Sequence, residues 1–285
     1  MLNLIQGLNP LLAALALIAP PGPAVERLCS LQDQRITESS GVAVTGEVVW
    51  THNDSGDSAR FFALDRRCRT LATYSLRGVQ ATDWEDMAQG AGALWFGDIG
   101  DNREVRTQIQ VHRVSLPSTR PSVQRPRATT FRFRYSDGAH DAEALLVDPQ
   151  GRLFIVTKSY GGTAAVFAAP PRPSTTEVNV LTQVGSFSLA PSGTPGGPVG
   201  SLGQVSVTGG DINTRGDRLV VRTYTDAYEW VVSNGDVAKA LTGTPTRTAL
   251  PQTAQGEAIA YDTDGRSWIT TSEGVRPAVH RLSRR

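Results

Sequence analysis

Asp141-Ala142-Glu143-Ala144-Leu145-Leu146-Val147-Asp148-Pro149-Gln150-Gly151 leads through Arg152 into Leu153-Phe154-Ile155-Val156. A polar-acidic start, a short apolar run, a turn ending in Gly and a second apolar run read as an antiparallel hairpin, with Gly supplying the positive φ that tight turns need. The same phrase stands at four other places: Glu38-Ser39-Ser40-Gly41-Val42-Ala43, Asp83-Trp84-Glu85-Asp86-Met87-Ala88, Ser206-Val207-Thr208-Gly209-Gly210-Asp211 and Gln255-Gly256-Glu257-Ala258-Ile259-Ala260. Each reaches a second apolar run: Val48-Val49-Trp50, Leu94-Trp95-Phe96, Leu219-Val220-Val221 and Trp268-Ile269-Thr270. Self-similarity at this spacing is the mark of a repeat architecture.

Two more strands fit after each hairpin. Phe61–Leu64 and Leu71–Tyr74 follow the first, Ile109–Val114 and Thr130–Tyr135 the second, Ala164–Phe167 and Val178–Leu189 the third, and Tyr228–Val232 and Thr246–Leu250 the fourth. The second pair alternates apolar and polar residues with a period of two, as strands with two distinct faces do. Four strands per unit make a propeller blade. The expected fold is therefore all-β, a β-propeller of five four-stranded blades; six follow if the Pro/Gly-rich stretch Pro191–Gly203 hides a degenerate one. That stretch and the basic, Pro-rich segment Pro117–Arg127 read as exposed loops. The fifth unit ends after Ala278–Leu282, so the orphan strand Val25–Ser30 is expected to close it as its outer strand, removing a free edge. Closure brings Cys29 beside the first blade, where Cys68 lies. A disulfide between the two is the favoured reading, and two buried thiols the alternative.

Residues 1–24 read as a signal peptide, an apolar run from Leu11 to Ala19 with a small-residue exit near Ala24 and no basic residue ahead of it. The run is too short to span a membrane. Residues 25–285 then form a single propeller domain, secreted or at the cell surface, without a membrane span in the mature chain. With 28 Lys plus Arg against 27 Asp plus Glu, the chain is nearly neutral, which argues against nucleic acid as a partner. A closed, near-neutral propeller is expected to be a monomer.

Alignment on the repeated phrase places Ser40, Glu85, Glu143, Thr208 and Glu257 at one position, and Glu38, Asp83, Asp141, Ser206 and Gln255 two residues earlier. Residues two apart on a strand share a face, so both sets are expected to line the central channel as stacked polar rings. Clustered carboxylates either raise one another's pKa or hold a cation, and hard oxygen ligands suit Ca²⁺; the bland alternative is a wet channel of carboxylates bonded to backbone and water. Asn53-Asp54-Ser55-Gly56-Asp57 and Gly97-Asp98-Ile99-Gly100-Asp101-Asn102 share Asp-x-Gly-Asp after the second strand, either an Asx-type turn or a carboxylate rim. The candidate metal ligands are Asp54, Asp83, Glu85, Asp98, Asp141 and Glu257. Glu143 is a candidate catalytic carboxylate, Lys158 and Arg222 are candidate holders of an anionic oxygen, and His140 is a candidate general base. There is no Gly-x-Ser-x-Gly elbow, zinc-type spacing or phosphate-binding Gly loop, so activated water is the expected nucleophile of any hydrolysis.

These phrases, together with Gly138–Leu146 and Arg222-Thr223-Tyr224-Thr225-Asp226-Ala227-Tyr228-Glu229-Trp230, resemble the secreted, phytase-like β-propellers of actinobacteria often described as having esterase-like activity. The resemblance spans roughly residues 28–285. It implies a Ca²⁺-binding propeller and ester or phosphoester hydrolysis of a small anionic substrate, with no catalytic set to carry over. The rival expectation is a non-catalytic scaffold whose loops bind an extracellular protein or wall polymer.

Overall fold

The computed structural model describes residues 23–119, 123–158 and 161–283; the proposed leader, up to residue 22, lies outside them. The chain enters on β1 (Ala24–Ser30). A first unit follows: β2 (Ser39–Thr45), β3 (Val48–Asn53), β4 (Arg60–Leu64) and β5 (Thr70–Ser75). The second consists of β6 (Trp84–Gly90), β7 (Ala93–Asp98) and β8 (Ile109–Ser115), then, after a two-residue β9 (Val123–Gln124), β10 (Thr129–Tyr135). The third is β11 (Ala142–Val147), β12 (Leu153–Thr157), β13 (Thr163–Ala168) and β14 (Val178–Ser188). The fourth is β15 (Val207–Ile212), β16 (Arg218–Thr223), β17 (Asp226–Val231) and β18 (Thr246–Ala249), with α1 (Val237–Leu241) between the last two. The fifth is β19 (Gly256–Tyr261), β20 (Trp268–Ser272) and β21 (Ala278–Ser283).

The protein is a β-propeller. Within each unit the strands pair antiparallel in chain order. The first strands of the units, β2, β6, β11, β15 and β19, lie side by side in that order, and β19 returns to β2. As the sequence predicts, β1 closes the fifth unit from outside, pairing antiparallel with β21 from Ala24 opposite Ser283 to Ser30 opposite Ala278. Cys29 on β1 is joined to Cys68, in the β4–β5 turn of the first unit, with Cα atoms 5.9 Å apart. This link crosses the seam where the ring closes; constraining a chain segment of this length is worth about 4 kcal/mol in the loop-entropy picture. The ion pair Arg66–Asp262 (2.7 Å) crosses the same seam, and Arg281 holds Asp262 from within the fifth unit (2.7 Å).

Strand alternation fills the spaces between units. On β7, Leu94 and Phe96 pack toward the first unit, with Trp50, Phe61 and Tyr74; Ala93 and Trp95 pack toward the third, with Leu145, Ile155 and Phe167. Three further apolar clusters occupy the remaining interfaces. Burying the two faces of each blade in different interfaces is what requires period-2 patterning of every strand.

Some features depart from expectation. The outer strands β10 and β14 pair in parallel, Arg132 opposite Val178 and Tyr135 opposite Leu181, so the second and third units share one eight-stranded sheet. In the segment Pro117–Arg127, expected to be a loop, β9 extends the first unit beside β5; residues 120–122 lie outside the described residues. The stretch Pro191–Gly203, by contrast, is a loop as expected, holding one 3-10 turn, Gly200–Leu202, and no strand. It is tied down by the buried Asp226 carboxylate, which accepts from Ser192 Oγ (2.6 Å), Thr194 Oγ1 (2.7 Å) and Thr225 Oγ1 (2.7 Å) and pairs with Arg247 (2.7 Å).

Candidate metal centre

All five inner strands carry a β-bulge at the same place. The register slips between Ser39 and Gly41, Trp84 and Asp86, Ala142 and Ala144, Val207 and Gly209, and Gly256 and Ile259. The extra residue is Ser40, Glu85, Glu143 or Thr208 in the first four units, and the fifth slip spans Glu257 and Ala258. The aligned position of the repeat is thus the bulge itself, which re-aims a side chain. The other aligned set, Glu38, Asp83, Asp141, Ser206 and Gln255, stands one residue ahead of the strands. Members of the two sets do come together, Asp83 with Glu85 and Asp141 with Glu143, but the reason is corrected: one set lies just ahead of the strands and the other at the bulge, so plain alternation within a strand does not bring them there.

The bulges gather charge on one side. Oxygens of Glu85, Asp141 and Glu143 lie within 4.8 Å of one another, as do those of Asp54, Asp83 and Glu85. Glu85 therefore links two acidic groups drawn from the first three units. Ser40 and Thr208 instead close the ring by hydrogen bonds to the next unit: Ser40 Oγ donates to the Glu85 carbonyl, and Thr208 Oγ1 lies 3.1 Å from the carbonyls of Gly256 and Glu257. The room for this gathering is made at Gly100, whose backbone N–H approaches the Asp83 carbonyl (3.2 Å). A Cβ there would stand 2.0 Å from Glu85 Oε1 and 2.6 Å from Asp83 Oδ2.

Burial and mutual repulsion disfavour ionisation throughout the cluster. Burial first, then the charges of Asp54 and Asp141, raises Asp83 to about 6. Burial raises Glu143 to about 7 against the opposing pull of Lys158. Glu85 is pushed well up by burial and by Glu143, and Asp54 and Asp141 are raised too, chiefly by burial. Asp141 Oδ1 accepts the N–H of Asp101 at 2.8 Å, while its buried Oδ2 meets no donor among the described residues. Lys158 follows β12; its N–H is held by the Asp141 carbonyl (2.9 Å) and its ammonium bonds Glu143 Oε1.

The remaining candidates fall in different places. Glu257 is 4 % exposed, with Oε2 meeting no donor among the described residues; burial and the charges of Glu143 and Glu273 raise its pKa well above the usual range. Asp98 is part of the scaffold: it accepts the N–H groups of Thr82 (3.0 Å) and Asp83 (3.2 Å) and pairs with Arg106 (2.7 Å). Its counterpart in the first unit is Asn53, which accepts from Thr37 and Glu38 in the same way, so an amide serves equally there. Arg222, expected to hold an anion, spends its guanidinium on backbone carbonyls: Ala258 (2.9 Å), Thr223 (3.0 Å), Tyr224 (3.2 Å) and Thr271 (3.3 Å). It fits because residue 256 is Gly; a Cβ would stand 2.1 Å from Arg222 Nη2. His140, expected to be a base, bonds Asp137 (3.0 Å) and packs on Tyr135 and Phe167, outside the acidic groups.

Two members were given no role by the sequence reading. Tyr224, in the β16–β17 turn, lies within hydrogen-bonding reach of Lys158 and close enough to Glu257 and Glu143 to feel their charge; burial raises its phenol. Glu273, after β20, is raised to about 7 by burial and by Asp54 and Glu38. The sequence signal for Glu273 is its place after the second strand, which it shares with Asp54, Lys158 and Arg222; Tyr224 stands two residues past Arg222 in the same phrase.

No protein-family model matches the chain, and no curated protein matches it. Among solved structures it is similar to the PQQ-bound aldose sugar dehydrogenase of Streptomyces coelicolor, at 11 % identity over 93 % of this chain and 99 % of that one, TM-score 0.49. It is similar also to a gluconolactonase of Xanthomonas campestris (13 %, 93 % and 99 %, TM-score 0.43) and to a putative gluconolactonase (14 %, 93 % of each chain, TM-score 0.45). At this degree of likeness the comparisons carry nothing about the chemistry of the site.

Proposed function

We propose that this protein is an exported, Ca²⁺-dependent hydrolase of small anionic esters or phosphoesters, with Asp54, Asp83, Glu85, Asp141 and Glu143 holding the metal. The observation that carries the reading is the pair of acidic groups joined at Glu85, with the buried Asp141 Oδ2 inside it meeting no donor among the described residues. A carboxylate-only donor set of this kind suits a hard cation and favours Ca²⁺ over the softer transition metals. When bound, Ca²⁺ would lower the pKa of a water and polarise the substrate oxygen. Around it, Glu143 is the carboxylate that belongs to an acidic group and also bonds the Lys158 ammonium, so its loss is expected to disable the centre. Lys158 and the Tyr224 hydroxyl supply donors for a developing anionic oxygen. Export is supported by the Cys29–Cys68 disulfide, which suits an oxidising compartment. The actinobacterial phytase-like propellers remain the family that the sequence motifs suggest.

The test is a Ca²⁺ titration by calorimetry on chelator-treated protein, followed by a screen of carboxylate and phosphate esters. Ca²⁺ is expected to bind and raise Tm, and Glu143→Gln to lose hydrolysis while keeping its circular dichroism spectrum. Full activity in Glu143→Gln removes that residue from the chemistry; no heat of binding removes the metal.

A second reading, a binding scaffold for a protein or wall polymer, draws on the loop over the fourth unit. There Val199 and Leu202 are 65 % and 49 % exposed although the loop is anchored through Asp226. Capture of a partner that is lost on replacing both by Ser, with Glu143→Gln unaffected, would favour it.

A further inference from the structure

Of the 28 lysines and arginines in the chain, only two are lysines, Lys158 and Lys239. Lys239 lies on α1; Lys158 lies in the acidic cluster. Other buried carboxylates that meet a cation meet arginine: Asp98 with Arg106, Glu229 with Arg218, Asp226 with Arg247 and Asp262 with Arg281. The difference is physical. A guanidinium grips carboxylate oxygens with a rigid fork, whereas an ammonium is a compact point charge on a flexible four-carbon stem. Lys158 is the cation placed to serve many carboxylates at once. Its ammonium bonds Glu143, and its charge is felt by Asp54, Glu85, Asp141 and Glu273. A second hydrogen-bond partner, the Tyr224 hydroxyl, is within reach.

The Glu143 oxygen that Lys158 holds belongs to one of the two acidic groups able to receive a metal. A divalent cation among oxygens within 4.8 Å of one another would share that space with the ammonium, and like charges so close in a poorly solvated site repel strongly. We propose that Lys158 is an internal cation that competes with the metal for Glu143, so that it sets the metal affinity of the centre. Metal binds Glu143 as the ammonium leaves it for the Tyr224 hydroxyl. This rests on the metal reading above and adds to it the residue that tunes it. No bond is made or broken in the exchange beyond hydrogen bonds and metal coordination, and the charge that leaves Glu143 stays within the site.

The experiment is calorimetric titration of Ca²⁺ into the chelator-treated full chain, native and with Lys158→Met or Lys158→Arg, each checked for native circular dichroism. Lys158→Met is expected to bind Ca²⁺ at least ten-fold more tightly than the native protein. Lys158→Arg keeps the charge but grips Glu143 with a fork, and is expected to bind at least ten-fold more weakly. Long-range electrostatics alone would leave Lys158→Arg unchanged, and that result overturns the competition. Native binding with equal or weaker binding in Lys158→Met also overturns it and leaves the metal reading standing. Ca²⁺ binding by Lys158→Met where the native protein shows none supports it in its strongest form. No binding in any of the three proteins removes the metal reading, and the competition with it. If Lys158→Met fails to fold, Lys158→Gln replaces it with the same expected gain.

Discussion

Gly100 shows how much of the site depends on an atom that is missing. Nothing in Gly97-Asp98-Ile99-Gly100-Asp101-Asn102 says that its glycine faces the carboxylates of Glu85 and Asp83, yet a methyl group there would overlap both. Gly100→Ala must push the two carboxylates aside, since the backbone behind them is held by the Asp83 carbonyl. Crowding of this kind typically costs about 1–3 kcal/mol, which a molecule of this size survives. The expected outcome is a folded variant whose Ca²⁺ affinity falls by roughly ten-fold, about 1.4 kcal/mol. Calorimetry checks it, and unchanged affinity would mean that Glu85 and Asp83 do not hold the metal. Arg222 teaches the converse. As an isolated arginine in the sequence it reads as an anion holder; among four carbonyls it is a cross-brace between the fourth and fifth units.

At the scale of the strand, the bulges decide which side chains meet. Past the bulge in β6, Asp86 accepts N–H groups from three units: Met87 (2.8 Å), Leu145 (3.0 Å) and Gly210 (3.1 Å). Asp211 does the same for Ile212 and Tyr261, both at 2.8 Å. These buried acids tie neighbouring inner strands together where no strand ladder joins them. Removing the Asp86 carboxylate leaves three buried N–H groups without their acceptor, each worth about 1–3 kcal/mol. Asp86→Ala is therefore expected to lose about 3 kcal/mol or more, read as a lower urea midpoint with an unchanged m-value. A loss well under 1 kcal/mol would show that the strands hold their places without it.

For the molecule as a whole, the buried acids fix the direction of the pH response. Unfolded carboxylates titrate near pH 4. In the folded protein Asp83 is raised to about 6, and Glu143, Glu273 and Asp211 to about 7, by burial first. Between these values the folded state binds more protons than the unfolded state, so stability falls as pH rises from about 4 to about 7 and then levels. His52 and His112, lowered to about 4 by burial, act oppositely between about pH 4 and 6.5, but they are fewer than the raised acids. Asp33 also acts oppositely: Arg35 pulls it down to about 2, and its contribution is lost only in strong acid. Metal-free protein is thus expected to have its highest Tm near pH 4 and a lower one at pH 8, with added Ca²⁺ raising Tm far more at pH 8 than at pH 5. Scanning calorimetry from pH 4 to 8 with and without chelator checks this. A Tm that climbs steadily from pH 5 to pH 8 without metal would contradict the burial of these acids.

The repeat Asp141–Val156, copied five times, carried the architecture on its own. Alternation forces each strand to bury two faces, Gly turns set the hairpins, and a short fifth unit demands a closing strand, which β1 supplies. Cys29 and Cys68 were legible for the same reason, because the position of two strands fixed the position of both thiols. The acidic residues were legible as a set but not as a site. Alternation put Glu85 with Asp83 and Glu143 with Asp141, and they do meet, but through a bulge that alternation does not predict; that Glu85 also joins Asp54 and Asp141 across units left no local pattern. Parallel pairing of β10 with β14 joins edges about 45 residues apart and leaves no local pattern to read. Tyr224, Glu273, His140 and Arg222 took their places according to which neighbours tertiary packing brought within reach. Composition and periodicity determine which faces must be buried. Which polar groups then meet is decided by distances between segments far apart in the chain, and those exist only once the ring has closed.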